Sequence, residues 1–67
     1  MLDPIRLRKR RILRRASERA MRRASTEAQR RGDTRPSAQR VRQLTRRYVA
    51  KLTKADPVLS RIEQEQQ

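Results

Sequence analysis

Between Ile5 and Arg31 the chain carries no Gly or Pro, and its aliphatic positions fall into a helical rhythm. Ile5, Ile12, Leu13, Ala16, Ala20, Ala24 and Ala28 recur mostly at four-residue spacing, which places them along one side of a helix. Arg8, Arg11, Arg15, Arg19 and Arg22 follow spacings of three and four and form a ridge on the other side. A second amphipathic run follows in Val41, Leu44, Tyr48, Leu52 and Ala55, and Leu59 and Ile62 continue it.

Punctuation divides these runs into three elements. Asp3-Pro4 combines a capping carboxylate with a residue suited to the first helical position. Gly32 stands where a left-handed helix stop belongs, after Arg30 and Arg31 at the negative end of the helix dipole. "GDTRPS" (residues 32–37) has the composition of a turn, in which Thr34, Arg35 or Ser37 would cap the next helix. Asp56-Pro57 repeats the Asp-Pro opening, and the residue before a proline avoids the helical region. The expectation is an all-α fold in a single small domain spanning residues 1–67. It is an antiparallel hairpin of two long helices, about 4–31 and 37–55, with a short third helix at about 57–65. The terminal "EQEQQ" should fray.

The alanines of helix 1 leave room for the larger residues of helix 2, so the two apolar stripes suit each other. Glu18 with Arg22, and Glu27 with Arg31, have the favourable order for ion pairs four residues apart. A chain of 67 residues buries little surface, and Leu2 is among its few large apolar residues. Help from a dimer or a bound partner is therefore expected. Two hairpins pairing through Val41, Leu44, Tyr48 and Leu52 would make a four-helix bundle.

Charge changes the picture most. Twenty basic residues oppose seven acidic ones, a net of +13. Residues 1–31 hold twelve basic and three acidic side chains, so +9 of that charge lies there. Such a chain is drawn to polyanions. Guanidinium groups on one helix face bind phosphates in two-pronged fashion without reading sequence. The expected nucleic-acid contacts are Arg8, Arg11, Arg15, Arg19 and Arg22, with a second strip of Arg40, Arg47, Lys51 and Lys54 on helix 2. Arg14 and Arg23 lie near the ridge and would assist.

Other chemistries find no residues to work with. The chain has no His and no Cys, its acids are scattered, and it has no Gly-rich phosphate loop. Neither an enzyme nor a cofactor or metal site is expected. Tyr48 is the only aromatic residue and falls on the apolar stripe, so it is expected in the core rather than as a stacking platform for single strands. No apolar run approaches a membrane span, and the basic N-terminus lacks the apolar stretch of a secretory signal. A membrane-surface helix would need larger apolar anchors than alanine.

"EAQRRGDTRPSAQRVRQL" (residues 27–44) resembles the helix-turn-helix unit, with Ala28 and Gly32 four apart and Val41 nine residues after Gly32. That resemblance implies Ser37, Gln39, Arg40 and Gln43 in a major groove. Helix 1 is longer than the first helix of that unit, and Pro36 falls where its recognition helix begins. A plain hairpin is the expectation carried forward. The functional expectation is a small Arg-rich protein of the cytoplasm, associated with nucleoid or ribosome, that binds the backbone of DNA or structured RNA. An accessory role in a phage or plasmid would suit it. The alternative is a module that docks its basic face on an acidic protein surface.

Overall fold

The structure, a computed structural model, describes residues 3–65. Leu2 and the terminal Gln66 and Gln67 of the expected frayed tail lie outside the described residues. Three helices follow in order: α1 (Pro4–Arg30), α2 (Ala38–Ala55) and α3 (Pro57–Glu65).

Each boundary has a local chemical cause. An Asp3 carboxylate oxygen accepts from the Ile5 N–H at 3.0 Å, and Pro4 needs no partner for an N–H it lacks. At the far end of α1, Gly32 takes a positive φ of 83°. This lets the Asp33 N–H reach the Ala28 carbonyl at 2.8 Å and the Gly32 N–H reach that of Gln29 at 3.1 Å. Those two bonds make the glycine-dependent stop that closes many helices. Ser37 settles the cap of α2: its hydroxyl accepts from the Arg40 N–H at 3.4 Å. Asp56 ends α2 with extended backbone and starts α3, accepting from the N–H groups of Val58 and Leu59 at 2.9 and 3.0 Å.

The hairpin is antiparallel, as contacts between the long helices show. Arg23 and Arg19 meet Tyr48, Glu27 meets Arg40, and Arg8 meets Asp56. Ile12, Ala16, Ala20, Ala24 and Ala28 are all buried, at strict four-residue steps. On α2 the matching row is Leu44, Tyr48 and Leu52; Leu44 is fully buried against Ala20 and Ala24, with Val41 and Tyr48 packed around them. Packing four-residue ridges against each other is the commonest way globular helices meet. The alanines let the larger α2 residues come close. α3 packs on α2 and buries Leu59. The result is elongated, 45 × 27 × 16 Å.

Two expected core positions depart from this. Leu13 is 52% exposed and Ala55 is exposed. The four-residue row explains both. Ile12 occupies the seam, and its neighbour Leu13 points about 100° away. On α2 the residue four beyond Leu52 is Asp56, not Ala55. Of the stripe expected to join two copies, Leu44 is buried against α1 of its own chain, and Val41 and Tyr48 pack partly buried around it.

Candidate nucleic-acid interface

Because the seam advances four residues at a time, the whole of α1 sorts into four rows. The seam row is Ile12, Ala16, Ala20, Ala24 and Ala28, and Arg8 heads it. One flank is Arg11, Arg15, Arg19, Arg23, Glu27 and Arg31. The opposite flank is Ile5, Lys9, Leu13, Ser17, Met21, Ser25 and Gln29, uncharged from Leu13 onward. The outer row is Arg10, Arg14, Glu18, Arg22, Thr26 and Arg30. Of the ridge expected from the sequence, Arg15, Arg19 and Arg22 line one recess with Leu52 of α2. Arg11 lies one turn before Arg15 on the same flank, Arg22 reaches the recess from the neighbouring outer row, and Arg8 ends the seam. An Arg8 Nη1 sits 3.1 Å from Asp56, bracing α1 against the α2–α3 junction.

The basic flank of α1 borders Tyr48. The Arg19 guanidinium carbon lies 5.8 Å from the centre of the Tyr48 ring, within cation–π range. Arg23 Nη1 donates to the Tyr48 hydroxyl at 3.1 Å. That hydrogen bond holds the phenol below its ordinary pKa, and the charges of Arg23, Arg19 and Lys51 add to it against the opposing effect of burial. Lys51 lies three residues after Tyr48 on α2, and Arg47 lies one turn before Lys51 on the same side of that helix. So α1 and α2 each contribute cations to one face of the hairpin, with Tyr48 between them.

The expected site residues on α2 separate too. Arg40 is committed to Glu27, donating from Nε and Nη2 at 3.0 and 3.1 Å. The pair is two-pronged and half-buried. The Arg40 hydrogen bonds hold the Glu27 carboxyl below the usual range, despite partial desolvation, and Arg23 and Arg31 assist. Lys54 lies one helical position round from Arg47 and Lys51, on the row of Arg42 and Arg46. Of the residues that the helix-turn-helix resemblance would send to a groove, Ser37 caps α2 and Arg40 is held by Glu27. Gln39 and Gln43 are exposed.

Compared with protein-family models, curated proteins and solved structures, the chain matches none.

Both ion pairs expected within α1 are exchanged for others. Glu18 pairs with Arg14 at 3.6 Å rather than with Arg22. Glu27 takes Arg40 and Arg23, leaving Arg31 to Asp33 at 3.3 Å. An antiparallel neighbour offers Glu27 a more enclosed, two-pronged partner than its own helix can. Among the described residues, Arg11, Arg15, Arg19, Arg22, Arg47, Lys51 and Lys54 have no carboxylate within ion-pair distance. Among the same residues no three acidic side chains gather as a metal site, and no helix is long and apolar enough to cross a membrane.

Arg23 and the Glu27–Arg40 clamp are the contributors that ridge spacing understates. The available signal is an eight-residue repeat, "RRASERAM" then "RRASTEAQ" (residues 14–21 and 22–29). Eight residues are two four-residue steps. The repeat therefore carries Ala16 to Ala24, Ala20 to Ala28 and Arg15 to Arg23, each within its own row.

Proposed function

We propose that this protein binds the phosphate backbone of duplex DNA or structured RNA, as a small accessory or architectural factor. The observation that carries this is the basic flank Arg11, Arg15 and Arg19 of α1, which borders α2 at Tyr48 and Leu52, with Arg47 and Lys51 four residues apart on α2. These cations are not neutralised by described carboxylates. Phosphates would displace only counterions, and their release drives association.

Tyr48 supports a backbone reading over a single-strand one. Its ring carries Arg19 and its hydroxyl takes Arg23, so it is committed to positioning cations rather than to stacking a base. A cytoplasmic location on nucleoid or ribosome, and an accessory role in a phage or plasmid, belong to the same proposal. Docking on an acidic protein is the reading that replaces it if nucleic acid fails to bind.

The test is fluorescence anisotropy with a labelled random-sequence duplex and a labelled RNA hairpin across a salt series. Five backbone contacts on duplex DNA should give a log–log salt slope of about −4.5. The ratio of the two affinities then assigns DNA or RNA. Weak binding to both at physiological salt would overturn the proposal.

A further inference from the structure

The basic face is not uniform. At one point Arg15, Arg19 and Arg22 converge on a recess of about 350 Å³, with Leu52 of α2 and Glu18 completing its wall. We infer that this recess is a seat for a single phosphate group, the anchoring contact of the basic face. The inference rests on the backbone-binding proposal above for its natural ligand, a phosphodiester of nucleic acid.

Several features set the recess apart from a run of solvated arginines. Three guanidinium groups from successive turns line one volume, and none of the three has a carboxylate within ion-pair distance among the described residues. Each offers a planar fork of donors that matches phosphate oxygens. Leu52 supplies an apolar wall that keeps water from one side, and a charge contact gains strength where water is excluded. Arg19 is held by the Tyr48 ring, so part of its ordering cost is met before any ligand arrives. Glu18 is the opposing element. Its carboxylate pairs with Arg14 at 3.6 Å, and it adds negative charge to the recess.

A charge-preserving substitution separates a built seat from a diffuse field. Changing Arg15, Arg19 and Arg22 together to Lys keeps the net charge and helix propensity but removes the forks. The control changes Arg30, Arg42 and Arg46 to Lys, all exposed and outside the recess. Far-UV circular dichroism verifies that both variants stay helical. The seat variant should bind duplex DNA about tenfold more weakly than wild type, and the control within about twofold, because only the first loses two-pronged phosphate contacts. Glu18→Gln should tighten binding by a few-fold, through removal of a like charge beside the phosphate. Equal affinities for the two Lys variants would overturn the seat and leave the backbone proposal standing.

Inorganic phosphate gives the second arm, read by NMR shifts of the wild-type backbone and guanidinium signals. Shifts confined to Arg15, Arg19, Arg22 and Leu52 support the seat, even if nucleic acid fails to bind. Shifts spread evenly over the arginines overturn it.

Discussion

The two flanks of α1 face each other across the same seam and share the same helix, yet they are dressed differently. One carries Arg11, Arg15, Arg19 and Arg23 before Glu27 interrupts it. The other carries Leu13, Ser17, Met21, Ser25 and Gln29, with no charge across those turns. Leu13 and Met21 on that side are 52% and 49% exposed. A coat of charge made for solubility would be spread over both. The asymmetry argues that the arginines beside Tyr48 are placed, and it pairs them with the cations of α2.

Breaking the seam should remove the comparison altogether, and this is the largest effect expected. Leu44 is the largest fully buried side chain, against Ala20 and Ala24. Leu44→Ala should cost about 2–5 kcal/mol in chemical denaturation. A loss below about 0.5 kcal/mol would mean that the alanine row does not pack on α2.

Acid should act next, through the two carboxylates that tie α1 to the rest of the chain. Glu27 is held below its ordinary pKa chiefly by Arg40, and Asp56 chiefly by the Leu59 N–H, with Arg8 and the Val58 N–H assisting. A depressed folded-state pKa stabilises fully above the unfolded-state value and loses that stabilisation as pH falls through the folded-state one. The melting temperature should therefore hold from neutral pH to about pH 5 and fall below about pH 4. Glu27→Gln should melt lower at neutral pH and lose less on acidification. A wild-type melting temperature that stays flat to pH 2 would contradict both ties.

The smallest effect belongs to the uncharged flank. Leu13→Ser with Met21→Gln should change stability by no more than about 0.5 kcal/mol per site, and leave duplex affinity unaltered. A tenfold loss of affinity would place nucleic acid on the wrong flank.

The helices and their ends were legible in the sequence because the chemistry that sets them is local. Asp3, Gly32 and Asp56 act on backbone groups a few residues away. The alanine stripe was legible for the same reason. The row on which each arginine falls was not. A straight wheel at 100° per residue joins Arg8 to the ridge, whereas the seam between α1 and α2 follows four-residue steps and Arg8 heads it. Which arginines are spent on structure was hidden too. Arg40 finds Glu27 across thirteen residues and Arg8 finds Asp56 across forty-eight, and only the folded hairpin brings them together.

The most direct test removes equal charge from two rows of α1 and compares the salt dependence of duplex binding. Arg11, Arg15 and Arg19 changed together to Gln should shift the slope by about 2.7 if each meets its own phosphate, and by about 1.8 if Arg15 and Arg19 share one seat, since each lost phosphate is worth about 0.9 on B-form DNA. Arg10, Arg14 and Arg30 changed to Gln lower the net charge equally but lie on the outer row, and should leave the slope within about 1 of wild type. Equal shifts from the two triple variants would show that net charge alone governs binding, and that the basic flank is not the interface.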